Sequence, residues 1–129
     1  MLQKEQARLD SRAASNEAPH DGDVLSAVRR YIEEHYADDI TVGKLAGRFG
    51  LTPNYLSAIF KRKYGMGIVQ LLTGIRIRRA RTLLAETELP VQDVAESCGY
   101  ADAAYFAKVF LKQEGCTPAS YRRTHRESV

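Results

Sequence analysis

The sequence has few cysteines and no long hydrophobic run. Its two cysteines, Cys98 and Cys116, form no CxxC pair, and no histidines are paired at metal-ligand spacing. Two cysteines leave room for one disulfide, but the pattern favours a reduced thiol pair in the cytoplasm. No apolar segment approaches the roughly 20 residues that a transmembrane helix needs, and the polar N-terminus is unlike a secretory signal. These absences argue against a metal site, a membrane partner and secretion.

Charge is unevenly distributed along the 129 residues, of which 44% are hydrophobic. Residues 1–23 carry a net charge of −2, whereas residues 24–129 carry +5. Basic residues cluster as KRK (61–63), RIRRAR (76–81) and YRR (121–123). Such a balance suits a polyanionic partner, although each cluster taken alone also fits a solvated helix face.

The hydrophobic pattern predicts helices from Val24 onward and no strand, so the predicted fold class is all-α with about seven helices. The longest helix is predicted over residues 68–86, and Pro90 opens the helix after it. Predicted N-terminal caps precede most of the others: Asp23, Thr41, Thr52-Pro53, Asp102 and Thr117-Pro118.

A tail is predicted to precede the helical domain. Residues 1–23 are polar and end in the turn-rich segment NEAPHDGD, with a hint of one short amphipathic helix at Leu2, Gln6 and Leu9. They are either a linker from an upstream domain or an overhang. The domain itself is predicted to comprise a first lobe (24–66), a linker helix (67–87) and a second lobe (88–125).

Two segments of this domain repeat one pattern, at an offset of 49 and then 50 residues. Identical residues fall at predicted core or turn positions: Val42/Val91, Ala46/Ala95, Gly50/Gly99, Tyr55/Tyr105, Phe60/Phe110 and Gly65/Gly115. Shared packing with different surfaces indicates two copies of one supersecondary unit. A small residue four positions before a turn glycine, followed by a new helix, is typical of a helix-turn-helix, whose second helix can enter a DNA major groove.

The repeats and the helix between them resemble the AraC/XylS family of bacterial transcription regulators. The segments that carry this resemblance are LAGRFGLTPNYLSAIFKRKYG, RIRRARTLL and VAESCGYADAAYFAKVFLKQEGCTPASYRR, within residues 24–125. The resemblance implies a double helix-turn-helix that binds double-stranded DNA through two recognition helices and regulates transcription; activation and repression both stay open. Residues 1–23 resemble the linker to a receiver domain in family response regulators. Departures are Leu111, where Lys is usual, and GMG at 65–67, which lacks the usual Ser or Thr.

The exposed faces of the third and sixth helices are predicted to contact base edges. The predicted base-reading residues are Asn54, Ser57 and Ala58 in the third helix and Ala103, Ala104 and Lys108 in the sixth. Asn can pair with adenine and Lys can donate to guanine, whereas alanine offers only apolar contact to a thymine methyl group. Tyr55 is predicted to face the core, and Tyr105 and Tyr121 are predicted to be core anchors.

Basic side chains and helix N-termini are predicted to contact the DNA backbone. The predicted phosphate contacts are Thr41, Lys61, Arg62, Lys63, Arg76, Val91 and Lys112. For Arg76, a structural ion pair is an equal alternative. The tandem repeat predicts that the isolated domain binds an asymmetric site as a monomer, and the expected further partners are RNA polymerase and an upstream signalling domain.

Catalysis has little support in the sequence, and no cofactor is expected. His20, His35 and His125 lie far apart, Ser57 is not in a nucleophile elbow, and GMG is too short for a phosphate loop. Cys98 takes the place of Phe49 in the repeat, which predicts a core residue. A helical protein-interaction module is the alternative to DNA binding, although such repeats usually need three or more copies.

Overall fold

The computed structural model describes residues 21–127, which form seven α-helices and no strand within that range. The predicted all-α fold is confirmed. The predicted N-terminal helix around Leu2 lies outside the described residues. The helices are α1 (Asp21–Glu34), α2 (Val42–Arg48), α3 (Pro53–Tyr64), α4 (Ile68–Glu86), α5 (Val91–Ser97), α6 (Ala103–Glu114) and α7 (Pro118–Glu127).

Two separate hydrophobic cores lie at the two ends of α4. The first core is formed by α1, α2, α3 and the first half of α4: Leu25, Val28, Ile32, Leu45, Ala46, Leu56, Ile59, Phe60, Ile68, Leu71 and Leu72. The second core is formed by the rest of α4, α5 and α6, with Tyr121 of α7 packed against it: Ile77, Ala80, Leu83, Leu84, Val94, Ala95, Cys98, Tyr100, Phe106 and Phe110. The long helix therefore belongs to both lobes.

The tight turn of the helix-turn-helix has the same construction in both lobes. Ala46 and Ala95 are completely buried. Their methyl groups are small, so the two helices of each motif can cross closely at this position. Gly50 and Gly99 follow four residues later with φ of 72° and 101°, in a region that residues with a Cβ rarely adopt. The sequence repeat thus corresponds to a structural repeat.

The N-termini of α2, α3 and α6 are capped as predicted. Thr41 accepts a hydrogen bond from the Lys44 N–H at 3.1 Å, and Thr52 accepts one from the Tyr55 N–H at 3.2 Å. The Asp102 carboxylate accepts bonds from the N–H groups of the first turn of α6. The predicted cap of α1 is wrong, since Asp23 lies within α1 and not directly before it.

The start of α4 lacks a Ser or Thr cap but is stabilised by another side chain. The Oε1 atom of Gln70 accepts a hydrogen bond from the Gly67 N–H at 2.8 Å. A glutamine at the third helical position can satisfy a free backbone donor in this way. The GMG departure therefore leaves a well-defined helix start.

Two arginines of α7 close the C-terminal end of α4. Arg122 Nε donates to the Leu84 carbonyl at 3.0 Å, and Arg126 donates to the Thr87 carbonyl and pairs with the Glu88 carboxylate. The last carbonyls of a helix have no partners within it, and a cation is favoured at that end. The Arg126 guanidinium also lowers the pKa of Glu88.

Candidate nucleic-acid interface

The base-reading face predicted for α3 is exposed. Asn54, Ser57 and Ala58 all lie at the surface, because Leu56, Ile59 and Phe60 turn the opposite face of the helix into the first core. The predicted residues therefore share one face that a DNA groove could reach.

The corresponding face of α6 offers less chemistry. Ala104 and Lys108 are exposed, but Ala103 is partly buried and packs against the second core. Asp102 caps the helix directly before Ala103. Ala103 is therefore a poorer base-reading residue than predicted, and Lys108 supplies the hydrogen-bonding capacity of this face.

Exposed cations occupy the last turn of each recognition helix. In α3 they are Lys61, Arg62 and Lys63, and in α6 the single cation is Lys112. The Lys63 ammonium lies 5.3 Å from the centre of the Tyr64 ring. The two lobes thus present unequal positive charge next to their reading faces.

The N-termini of α2 and α5 differ in how many backbone N–H groups are bonded by a side-chain cap and so are not open to a phosphate. The Thr41 hydroxyl already takes one N–H of α2, whereas Pro90 at the start of α5 provides no side-chain cap before Val91. Both helices are only seven residues long, so their dipoles are small. Phosphate contacts at Thr41 and Val91 stay predictions, and we expect them to be weak.

The half-buried Arg76 side chain is hydrogen-bonded to the protein backbone, which is nearer to its predicted structural role than to its predicted phosphate contact. Its Nε donates to the Tyr36 carbonyl at 2.7 Å and its Nη2 to the Asp38 carbonyl at 2.9 Å. The predicted structural ion pair comes closer to these contacts than the phosphate contact does, although the partners of Arg76 are backbone carbonyls and not a carboxylate. Sequence spacing could not reveal them, since they lie about 40 residues away.

Tyr55 and Tyr105 were wrongly predicted to face the core. Their exposed fractions are 46% and 58%, because each precedes the buried position of its helix by one residue and so lies at the margin of the apolar face. The phenol hydroxyl, which favours water, was a signal for this. Tyr121 does pack inward, with its ring 5.5 Å from that of Phe110. The two recognition helices therefore each present an aromatic side chain near the reading face.

The two cysteines are free thiols, and one of them lies in the second core. Cys98 is completely buried in the second core, as predicted, and Cys116 is partly buried; neither forms a disulfide. Burial raises the pKa of the Cys98 thiol to about 11, so it stays protonated at neutral pH. Across residues 21–127, no cluster of histidine, cysteine and acidic residues could hold a metal ion. No helix there is long and apolar enough to cross a membrane.

The described fold and face define a double helix-turn-helix domain, a class of DNA-binding protein. The model of a helix-turn-helix domain family matches residues 45–124. The arabinose operon regulatory protein of Escherichia coli K12 is 33% identical over 129 residues, which cover 97% of this chain. The HTH-type transcriptional regulator YijO of the same organism is 36% identical over 106 residues, or 82% of this chain.

Solved structures show the same likeness. The C-terminal domain of AraT, a response regulator from Geobacillus stearothermophilus, is 37% identical with a TM-score of 0.77, covering 85% of this chain and 88% of that one. The DNA-binding domain of AdpA, solved with a target DNA, is 28% identical with a TM-score of 0.77, covering 81% and 94%. The chain belongs to the AraC family of helix-turn-helix transcription regulators.

Family membership decides between the two functions that the sequence left open. The chain has a DNA-binding role in transcription regulation, in place of a purely protein-binding one. It spans only 38% of the length of YijO and 44% of the arabinose regulator. What the complete regulators sense and contact is therefore a separate question from what this domain binds.

Proposed function

We propose that residues 24–129 bind duplex DNA as one copy, with α3 and α6 in successive major grooves. The observation that carries this proposal is the matched pair of recognition helices on one shared helix, α4. Successive major-groove faces lie about 34 Å apart, and the 19 residues of α4 span about 28 Å at about 1.5 Å per residue. The lobes are tandem copies, so the site they bind is asymmetric, and modest bending of the DNA can close the remaining gap.

Asn54 and Lys108 are the principal base-reading residues of this proposal. The Asn54 amide can both donate to and accept from an adenine edge, and the Lys108 ammonium can donate to a guanine. Ser57 makes one poorly discriminating bond, while Ala58 and Ala104 contribute apolar contact to thymine. The half-site bound by α6 therefore tolerates more sequence variation than the one bound by α3.

Backbone contacts in this proposal come from the cations beside the reading faces, Lys61, Arg62, Lys63 and Lys112. Each phosphate that such a cation neutralises releases condensed counterions, which makes binding depend on salt. Arg76 is left out because its guanidinium donates to protein carbonyls.

We further propose that the domain acts in the cytoplasm and contacts RNA polymerase. In the full-length protein it would follow a signalling domain that controls it. A receiver as that upstream domain is supported by the likeness to the C-terminal domain of the response regulator AraT. The polar residues 1–23 would then be the linker between the two.

The test is a selection from randomised duplexes with the unchanged chain, Asn54→Ala and Lys108→Ala. Each variant should lose about 1–3 kcal/mol on the preferred site and relax selection at one base pair, because a bidentate or charged base contact is lost. We expect the Asn54→Ala position to be an adenine and the Lys108→Ala position to be a guanine in the other half-site.

Arg30→Ala on α1 is the matched control, since Arg30 is an exposed cation outside both recognition helices. Its selected site should equal that of the unchanged chain. If both recognition-helix variants also select an unchanged site, α3 and α6 do not read bases as proposed.

A further inference from the structure

One side chain at the middle of α4 contacts both lobes. Arg76 lies between Ile75, which packs on the first core, and Ile77, which is buried in the second. Its guanidinium donates to the carbonyls of Tyr36 and Asp38 at 2.7 and 2.9 Å. Both carbonyls belong to the segment that joins α1 to α2 in the first lobe.

The same guanidinium touches the second lobe. Its central carbon lies 5.2 Å from the centre of the Tyr100 ring, and Tyr100 is 7% exposed in the second core. A guanidinium over an aromatic face is attracted by the ring quadrupole. Arg76 therefore joins the first lobe by hydrogen bonds and the second by ring contact.

The backbones of the two lobes also meet directly beside Arg76. A Cβ atom placed on Gly99 would lie 2.9 Å from the Tyr36 carbonyl oxygen and 3.0 Å from the Ala37 Cα. The glycine is thus required by a close approach between lobes as well as by its φ of 101°. Its repeat equivalent, Gly50, has a φ of 72° and no atom within 4 Å of such a Cβ, so the helix-turn-helix turn alone does not demand this contact.

We infer that this junction, formed by Arg76, Gly99, Tyr100 and the segment 36–38, fixes the orientation of the two lobes and hence the half-site spacing that the domain accepts. A single connecting helix resists bending and twisting only modestly. A second contact, displaced from the helix axis, blocks both motions. Arg76 is a positioning residue in this inference, which rests on the proposed binding of DNA by α3 and α6.

The first test uses the DNA-free chain, so it does not depend on the proposed function. Residual dipolar couplings, measured by NMR, report whether two lobes share one alignment tensor. The unchanged chain should need one tensor, whereas Arg76→Gln and Gly99→Ala should need a separate tensor for each lobe. The controls are Arg78→Gln, which removes an exposed charge from the same helix, and Gly50→Ala, which places a side chain at a positive φ in the equivalent turn without the contact.

The second test measures affinity for the duplex that the unchanged chain selects, with one or two base pairs inserted or removed between the half-sites. The unchanged chain and both controls should lose at least about tenfold in affinity at a two-base-pair change, or about 1.4 kcal/mol. Arg76→Gln and Gly99→Ala should lose less than about threefold, because each lobe can then follow its own half-site.

The outcomes separate the inference from the function on which it rests. A chain that selects no two-part site would refute two-groove binding, and the couplings would still test the junction. An unchanged chain that binds a two-part site without a spacing preference would overturn the inference. A single tensor together with a spacing preference as sharp as that of the unchanged chain in Arg76→Gln overturns the inference. If Gly99→Ala or Arg76→Gln does not fold, Arg76→Lys replaces it in both measurements, since lysine keeps the charge but cannot bond both carbonyls and cover Tyr100.

Discussion

At the scale of single residues, the two recognition helices share their architecture and differ in their chemistry. The repeat places Lys61 of α3 opposite Leu111 of α6, and Leu111 is 47% exposed. Three basic residues occupy the last turn of α3 and only one occupies that of α6. The electrostatic part of DNA binding should therefore come mainly from the first lobe.

Removing the charge of Lys61 and adding a charge at Leu111 should change the salt dependence of DNA binding in opposite directions. Lys61→Gln removes one phosphate contact and should lower the magnitude of the log–log salt slope by about 0.9, with unchanged base preference. Leu111→Lys should raise the slope by about the same amount if α6 approaches the backbone as α3 does. Titrations with duplex DNA at four or more salt concentrations measure both.

Arg30→Gln provides the comparison for a charge outside the recognition helices. An equal loss of slope in Arg30→Gln would mean that the general field of the domain, and not a local contact, is responsible. A shift in base preference with an unchanged slope in Lys61→Gln would reassign Lys61 to base reading.

At the scale of helices, the stability of α6 depends on Asp102, the residue directly before its first turn. The Asp102 carboxylate oxygen accepts hydrogen bonds from the Ala104 and Tyr105 N–H groups, at 2.9 and 3.4 Å. Those groups have no partner within the helix, and a negative charge is favoured at a helix N-terminus.

Removing this cap should destabilise the domain without changing what it recognises. Asp102→Ala should lower the free energy of unfolding by about 1 kcal/mol, and Asp102→Asn, which keeps an acceptor, by clearly less. Urea unfolding followed by circular dichroism measures both. Equal losses in the two variants would show that charge, and not the hydrogen bonds, is what stabilises the start of α6.

Local signals explain which helices could be predicted. The bounds of α4 were predicted correctly, and Thr41, Thr52 and Asp102 are caps, because capping depends on residues within three or four positions. The exposure of Tyr55 was missed although its place at the margin of the apolar face was a local signal. The contacts of Arg76 were not predicted, because they join segments about 40 residues apart. Exposed reading faces follow from helical periodicity, whereas the partial burial of Ala103 depends on the second core.

At the scale of the whole molecule, the tandem order of the lobes sets the symmetry of the DNA site. The two lobes are consecutive copies along one chain, and α3 and α6 carry different side chains at equivalent positions. We expect them to bind two unlike half-sites and not a palindrome. One copy of residues 24–129 should therefore protect an asymmetric site of about two helical turns.

Footprinting combined with sedimentation of the complex measures this. We expect one protein chain per duplex, and protection that differs between the two halves because the proposed base contacts of Asn54 and Lys108 differ. A palindromic footprint occupied by two chains would contradict the prediction.

The hydrogen bonds from α7 to the C-terminal end of α4 affect the order in which the two lobes can form during synthesis. The first core has all of its fully buried residues once Leu72 has been made. The hydrogen bonds at the end of α4 can form only after Arg122 and Arg126 have been made, and the second core can close only after Tyr121 has been made. At about 5–20 residues per second this is a delay of roughly 3–10 s. During this interval the nascent chain would carry one finished lobe and an unclosed helix, which makes the second lobe the part that chaperones would meet.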